Sequence, residues 1–146
     1  KFQMSSCHPE DCEVNLHAQQ RSIKSIKLIK SKMDSCLFCK IIAADIPSKT
    51  IYENDYVMAF DDIEPQAPVH VLIIPKKHIS TINDLDDSDK NLCGELFLAA
   101  QKIAEIKNIA TSGFRFIMNT NSDGGQTVFH IHMHVLGGRK LNWPPG

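Results

Sequence analysis

Three histidines alternate with apolar residues near the end of the chain: His130, His132 and His134 flank Ile131 and Met133. Because side chains alternate between the two faces of a β-strand, this spacing predicts all three imidazoles on one face, about 7 Å apart. Imidazole is largely neutral and nucleophilic near pH 7 and can also return a proton, while histidines two residues apart on a strand can bind zinc. The row therefore indicates nucleophilic and acid–base chemistry or a metal site, since three buried imidazoles that serve packing alone would be costly. The same alternation predicts a row of side chains facing the core: Phe129, Ile131, Met133 and Val135.

A glycine-containing segment, Gly124 to Thr127, directly precedes the histidines. Glycines let backbone N–H groups converge on an anion, and the hydroxyl of Thr127 adds a further donor. The segment therefore predicts a phosphate bound beside the imidazoles, and this favours nucleophilic chemistry over a metal site.

Periodicity predicts the elements that must position these residues. Apolar residues recur at intervals of three and four in the long helix, whereas tight turns and prolines separate the predicted strands. The expected fold is α+β, a mostly antiparallel sheet covered on one face. The predicted helices are 37–42 and 89–106, and the predicted strands are 50–53, 56–61, 70–74, 114–119 and 129–136.

Composition sets limits on the class of protein. The 146 residues are 42% hydrophobic and 23% charged, which is typical of one globular domain and excludes wholesale disorder. The net charge of -1 gives no sign of a nucleic-acid binder, and no apolar run approaches the roughly twenty residues of a membrane span. Five cysteines, an odd number, favour reduced thiols and a cytoplasmic location, with the nucleus as a second compartment.

Charge and periodicity divide the chain at Met33. Residues 1–33 are net basic and have a helical spacing of apolar residues, which predicts a basic extension that forms an amphipathic helix. Residues 34–146 are net acidic and form the predicted domain. Met33 is also a candidate start of that domain, preceded by an appended segment.

The domain resembles the histidine triad superfamily, in its Hint branch. The stretch from His130 to Leu136 has the His-x-His-x-His-x-x signature, in which x is apolar. Further matching segments are 46–48, 59–63, 65–70, 74–80, 121–126, 135–139 and 143–146. The resemblance implies a five-stranded sheet with one long and one short helix, continued across a homodimer. It also implies a purine nucleoside phosphoramidase that cleaves P–N bonds through a nucleotidyl-histidine, releases AMP and requires no cofactor for catalysis.

The resemblance also assigns roles to residues. It implies that His132 is the nucleophile, that His134 helps to protonate the leaving amine, and that His130 and His70 support them. Asp62 matches the carboxylate that binds the ribose. The apolar pocket for the base matches Leu37, Phe38, Ile41, Ile46, Phe60 and Ile63. The sugar–phosphate contacts match Asn119, Gly125, Gln126 and Thr127, the last of which is often Ser in this branch, and Trp143 matches a segment that reaches the partner subunit.

Cys36 and Cys39 form a Cys-x₂-Cys pair, a spacing typical of metal sites. Related histidine triad proteins that keep this pair can bind zinc with two histidines, and the matching set here is Cys36, Cys39, His70 and His130. The alternative interpretation is two reduced thiols at the start of a helix.

Other functions stay open on the sequence alone. A nucleotide-binding scaffold without catalysis is one, although intact His132 and His134 argue against a dead site. A dinucleoside polyphosphate hydrolase is another, which the ending Trp143-Pro-Pro-Gly disfavours. A DNA-end adenylate hydrolase ranks low because the chain has no visible nucleic-acid-binding segment. The expected ligand is a purine nucleotide or phosphoramidate, with no direct nucleic acid and no membrane.

Overall fold

A computed structural model describes residues 34–144, and the predictions made for residues 1–33 lie outside this range. Between residues 36 and 144 the structure has two helices and five strands, with two short 3-10 turns before the long helix. These elements are α1 (Leu37–Ile42), β1 (Thr50–Glu53), β2 (Val57–Asp61), β3 (Val69–Pro75), the turns Ile82–Asp84 and Asp87–Asp89, α2 (Lys90–Ile106), β4 (Phe114–Ile117) and β5 (Met133–Gly137).

The five strands form one sheet in the order β1-β2-β3-β5-β4, and every neighbouring pair is antiparallel. The turn between β1 and β2 is fixed by Asn54, whose Oδ1 accepts the N–H groups of Tyr56 and Val57 at 2.9 Å. The helix α2 carries the chain from β3 to β4, which are not neighbours because β5 lies between them. The predicted α+β architecture with a five-stranded antiparallel sheet is confirmed.

The helix α2 packs on one face of this sheet. Its apolar residues at spacings of three and four are buried, so that the helix side forms the larger part of the core. Alternate residues of the central strands meet it. The buried members are Leu92, Leu96, Ala99, Ala100, Ile103 and Ala104 of α2, with Val57, Ala59, Val71, Ile73, Met133 and Val135 of the sheet.

The short helix α1 covers part of the opposite face, so the prediction of a single covered face is wrong. Phe38 and Ile41 of α1 pack with the intervening residues of the strands, which alternation turns to this side. The strand residues in this smaller cluster are Met58, Phe60, Leu72 and Ile74. None of the described helices is long and apolar enough to span a bilayer.

The last strand begins at Met133 and not at Phe129, as the sequence had predicted. Before it the chain leaves the ladder, and Ile131 N–H binds Ile79 O at 2.7 Å outside the sheet. Phe129 is consequently 54% exposed and does not face the core, in contrast to Ile131. His134 alone of the three histidines lies within a strand.

Candidate active site

The sheet places His134 and His70 side by side. In the antiparallel pairing of β3 with β5, His134 lies opposite Leu72 and His70 opposite Leu136, so both imidazoles are on the face that α1 covers. Asp62, which follows β2, joins them because its N–H donates to His70 O at 2.9 Å. Three side chains distant in sequence thus meet at one position on the sheet.

Hydrogen bonds link this group into a chain. Gln66 N–H donates to His70 Nδ1 at 3.1 Å, so neutral His70 carries its proton on Nε2. That nitrogen lies 2.9 Å from Nδ1 of His134 and 3.3 Å from the carboxylate of Asp62. His134 Nδ1 is therefore the acceptor, and the neutral ring holds its proton on Nε2. Among the described residues, His134 Nε2 is the buried side-chain nitrogen or oxygen that makes no hydrogen bond.

His132 is held with one ring nitrogen bound and the other left as a lone pair. It is buried, and its Nδ1 lies 2.8 Å from the carbonyl oxygen of His130, which can only accept. The proton of the neutral ring is thus on Nδ1 and the lone pair on Nε2, as a nucleophile requires. Burial lowers the pKa of His132, opposed by the hydrogen bond to His130 and by the charge of Asp62, so the ring is neutral near pH 7.

The ring of His134 lies beside His132, with centroids 5.0 Å apart. Burial, helped by any positive charge on His132 or His70, lowers the pKa of His134 to about 4, while Asp62 opposes the shift. The free protein therefore holds a neutral pair of imidazoles at neutral pH. His132 and His134 are neighbours, as the sequence predicted. The three imidazoles do not form the regular row of a single strand, because only His134 lies in β5.

His130 turns away from this pair and towards the cysteines. It is fully buried, and its Nε2 donates to the carbonyl oxygen of Pro75 at 2.9 Å. Its Nδ1 therefore carries the lone pair and lies 3.6 Å from Sγ of both Cys36 and Cys39. Burial lowers the pKa of His130 to about 4, which keeps this nitrogen free to bind a metal.

The fourth member of this cluster is His78, not His70 as the resemblance implied. His78 Nδ1 lies 3.3 Å from Cys39 Sγ and 3.2 Å from His130 Nδ1. The reason is the length of β3, because His70 and Pro75 are separated by five residues of extended chain, roughly 17 Å. Only the far end of the strand reaches the cysteines. The sequence offers one signal for His78, its position just beyond the strand whose last carbonyl orients His130.

The cluster of Cys36, Cys39, His78 and His130 has the geometry of a closed metal site. The four donor atoms all lie within 4.8 Å of one another. Tetrahedral zinc, with bonds of about 2.3 Å to sulfur and 2.0 Å to nitrogen, needs donor separations of about 3.3–3.8 Å, close to the 3.2–3.6 Å observed between hydrogen-bonded pairs. Burial and the neighbouring Cys36 raise the pKa of Cys39 to about 12, so a thiolate there requires a cation. These residues fit zinc.

The glycine segment is a tight loop in which two of the four amides are already in use. Gly125 N–H donates to Ser122 O and Gln126 N–H to Asn121 O, each at 2.9 Å. These two amides are therefore not free donors for an anion, which corrects the expectation of converging backbone N–H groups. The side chain of Thr127 is exposed and keeps its place as a candidate phosphate ligand.

Gln126 supports the loop rather than facing a ligand. Its side chain is buried and donates to Ser80 O at 2.7 Å and to Val128 O at 3.0 Å. Its Oε1 accepts Asn121 N–H at 2.9 Å. The side-chain amide of Gln126 therefore holds the loop together, and the predicted contact of this residue with the sugar or phosphate stays a prediction.

Comparisons with known proteins agree with this geometry. The family model described as HIT domain matches residues 43–141. The chain belongs to the histidine triad, or HIT, family. A purine nucleoside phosphoramidase of Escherichia coli K12 is 52% identical over 108 residues, 74% of this chain and 91% of that protein. The crystal structure of a HIT family hydrolase from Legionella pneumophila has a TM-score of 0.75 at 51% identity, covering 77% of this chain and 100% of the other. A histidine triad protein from Clostridium difficile has a TM-score of 0.71 at 45% identity, covering 73% and 93%.

The HIT domain is therefore that of a hydrolase. Several of the residues predicted for the base pocket lie together under α1, and their contact with a base stays a prediction. Phe38, Ile41 and Phe60 form a buried wall, with Ile46 packed partly against it. Leu37 and Ile63 are 45% and 95% exposed, so their side chains are accessible from solvent. Asn119 is half-buried. Trp143 is 83% exposed, and its predicted contact with a partner subunit stays a prediction.

Proposed function

We propose that the chain is an adenosine 5′-monophosphoramidase, which hydrolyses the P–N bond of purine nucleoside phosphoramidates, or cleaves aminoacyl adenylates, and releases AMP. The observation that carries the proposal is the carbonyl of His130, which binds Nδ1 of His132 at 2.8 Å and leaves Nε2 as the attacking lone pair. The E. coli relative named purine nucleoside phosphoramidase supports the substrate class.

The first chemical step is attack of His132 Nε2 on phosphorus. The N–P bond forms, the P–N bond to the amine breaks, and the amine leaves with a proton from His134 Nε2. A bound phosphoryl anion favours the protonated form of His134, since a nearby negative charge stabilises the cation. The carboxylate of Asp62, 3.3 Å from His70, supports the positive charge of the linked histidine pair.

The second step returns the enzyme to its starting state. Water attacks phosphorus, the bond to His132 breaks, and neutral His134 takes up the proton that water loses. In the intermediate the His132 ring is positively charged, and its Nδ1–H donates to the carbonyl oxygen of His130, which stabilises that charge. Proton transfer of this kind typically contributes about 10²–10⁴-fold to the rate.

A substrate panel tests the proposal against a dinucleoside polyphosphate hydrolase and a non-catalytic scaffold. Adenosine 5′-phosphoramidate and a diadenosine polyphosphate are offered separately, and rapid quenching with labelled substrate traps the nucleotidyl-protein. We expect turnover of the phosphoramidate, a labelled adduct and little cleavage of the polyphosphate. Faster cleavage of the polyphosphate, or AMP binding without any turnover, would reject the proposed activity.

We also propose that Cys36, Cys39, His78 and His130 bind structural zinc. Four protein ligands close the coordination shell, so such an ion would stabilise the fold at the start of α1 and no catalytic step would pass through it. Reduced thiols in a Cys/His site are typical of the cytoplasm, where we place the protein. Elemental analysis of the purified protein, compared with a Cys36→Ser variant, tests the site, and about one zinc per chain is expected.

A homodimer is the third proposal. The helix α2 and the edge strand β4 expose apolar side chains next to each other, including Phe97 and Phe116, whose rings meet at 5.2 Å. The strand β4 pairs on one side only, so its other edge can pair with a second copy and continue the sheet.

A further inference from the structure

The cysteine cluster and the nucleophile share one residue. His130 places its ring nitrogen Nδ1 3.6 Å from each cysteine sulfur, while its main-chain carbonyl lies 2.8 Å from Nδ1 of His132. A second bond, from Nε2 to Pro75 O at 2.9 Å, holds the ring from the opposite side. The contacts that hold this buried ring therefore also restrain the residue whose carbonyl orients the nucleophile.

Phe38 makes a second link between the cysteines and the nucleophile. It lies between Cys36 and Cys39 in the chain, in the first turn of α1, where Lys40 N–H donates to Cys36 O and Ala43 N–H to Cys39 O. Its ring is 4% exposed and stands edge-on to two imidazoles. The centroid separations are 5.8 Å to His130 and 5.2 Å to His132.

We propose that the Cys36–Cys39 pair is a positioning centre for the reaction, which holds the ring of His132 in its attacking orientation through His130 and Phe38. The proposal rests on His132 as the proposed nucleophile. The carbonyl of His130 binds Nδ1, so this contact restricts the ring without occupying the attacking Nε2. A shift of about 1 Å in such a group can cost 10²-fold in rate, because attack requires alignment with the bond that breaks.

The cluster itself has the restraints that such a role requires. Three parts of the chain meet there: the start of α1 supplies the cysteines, with Cys36 as its N-cap, the segment after β3 supplies His78, and the segment before β5 supplies His130. Hydrogen bonds between thiols and imidazoles already connect them, and zinc would hold the same four atoms more firmly. The proposed positioning role belongs to the side chains of Cys36 and Cys39 in the protein as it is purified.

The experiment compares Cys36→Ser/Cys39→Ser with Cys93→Ser, which changes a free cysteine on α2. Three quantities are measured: the single-turnover rate of adduct formation, the affinity for AMP, and the ring ¹⁵N chemical shifts of His132 at about pH 8, where histidines are neutral. In the wild type and in Cys93→Ser, we expect two widely separated ring shifts, one for Nδ1–H and one for the lone pair on Nε2.

In the double variant we expect the two shifts of His132 to move together, as the fixed tautomer is lost. The single-turnover rate should fall about 10- to 100-fold, as is usual when groups that orient a functional histidine are removed, with a much smaller change in AMP affinity. A folded double variant with unchanged ring shifts and rate would overturn the proposal, as would an equal loss in Cys93→Ser.

Phe38→Leu decides the question if the double variant does not fold. It keeps all four cluster residues and an apolar side chain, but removes the ring edge that contacts His132. Altered ring shifts and a slower single turnover, with metal content unchanged, would support positioning through this contact. Unchanged shifts and rate would reject it. If the wild type forms no adduct, the covalent activity is wrong, whereas the ring shifts still test the positioning.

Discussion

At the scale of single residues, one carbonyl decides which nitrogen of His132, the proposed nucleophile, carries the lone pair. His132 is buried, so its ring is neutral, and its Nδ1–H donates a hydrogen bond to the carbonyl oxygen of His130. The lone pair on Nε2 is then available without the help of a separate base. The chemistry of the site depends on this main-chain bond as much as on the imidazole itself.

Replacing His132 with Asn should abolish turnover while nucleotide affinity falls little. The variant keeps a polar side chain but loses the attacking nitrogen, whereas Asp62 and the apolar wall that includes Phe60 remain. We expect the steady-state rate to fall by roughly 10³-fold or more, with no labelled adduct. Calorimetric AMP binding provides the control, and a variant that turns over at near the wild-type rate would show that the covalent mechanism is wrong.

Replacing His134 with Asn should affect catalysis in proportion to the basicity of the leaving amine. Strongly basic amines leave badly as anions and depend most on the proton from Nε2 of His134. Rates measured over a series of amine substituents should therefore show a steeper dependence on amine pKa in this variant than in the wild type. Parallel slopes for the two proteins would assign proton donation to another group.

The pKa of His134 also makes a prediction about folding. Burial lowers it to about 4 from the ordinary value of 6.5, with His70, His132 and Asp62 as the charged or titratable neighbours. Between these two pH values the unfolded chain binds more protons than the folded one, so stability falls as the pH falls through this window. Each such group changes the unfolding free energy by at most about 1.4 kcal/mol per pH unit.

Urea unfolding of the wild type and of His134→Asn between pH 7 and about pH 4 tests this sign. The wild type should lose stability more steeply than the variant on acidification, because the variant lacks this protonation. The difference between the two curves removes the contribution of His130 and other groups common to both. Equal slopes would mean that His134 titrates alike in the folded and unfolded chains.

At the scale of elements, the loop before the histidines depends on the absence of a side chain at Gly124. A Cβ at this position would lie 2.5 Å from Thr120 O and 2.8 Å from Thr120 N, which are backbone atoms. Gly124→Ala should therefore lower the free energy of unfolding by about 1–3 kcal/mol and slow turnover by displacing the loop. Thermal melting and steady-state assays measure the two effects.

Gly94→Ala is the matched control for the loop. Gly94 lies inside α2, and apart from its chain neighbours and the adjacent helix backbone no heavy atom is within 4 Å of the Cβ that alanine would add. Because glycine is a poor helix former, this variant should gain about 0.5–1 kcal/mol without a change in rate. Opposite changes in the free energy of unfolding for Gly124→Ala and Gly94→Ala would distinguish a local clash from a general effect of replacing glycine.

The sequence was sufficient for elements with a clear local period. The short helix, the first hairpin and the long helix were predicted to within a few residues, because turn chemistry and apolar spacing act locally. The start of β5 was predicted wrongly. Residues 129–132 have the alternation of a strand, but their hydrogen bonds lie outside the sheet. His78 was missed for a similar reason. Its role depends on which end of β3 meets the cysteines, and that distance is a tertiary property.

The site followed from the sequence only where residues lie close together in the chain. His132 and His134 were found by spacing and by the resemblance. Two hydrogen bonds decide which ring nitrogen is protonated: His130 O sets the tautomer of His132, and His70 sets that of His134. No periodicity in the sequence indicates these bonds. Gln126 shows the opposite case, since its type suited a ligand contact but its amide is used to close the loop.

At the scale of the whole molecule, the two faces of the sheet have separate tasks. The buried residues of the central strands under α2 are apolar, and they supply most of the core. The face under α1 holds Asp62, His70 and His134 beside a smaller apolar cluster. The alternation of side chains along β3 and β5 therefore lets one set of strands build the core and the site together.

The predicted homodimer belongs to this scale because it depends on a surface shared by two elements. Phe97 on α2 and Phe116 on β4 are 54% and 43% exposed and meet edge-on, and α2 also exposes Leu98 and Ile106. Adjacent exposed apolar side chains beside an unpaired strand edge are typical of an interface. Phe116→Glu should place a charge in that interface and convert dimer to monomer.

Light scattering at micromolar concentration measures the result, with Tyr56→Glu as the control. Tyr56 is 51% exposed and lies just before β2, near the β1 edge of the sheet and away from the β4 edge. The same new charge there should leave the dimer intact. A melting temperature that depends on protein concentration in the wild type but not in Phe116→Glu would follow from the same equilibrium. A wild-type protein that is monomeric under these conditions, or a dimer that Phe116→Glu leaves unchanged, would show that this surface does not join two copies.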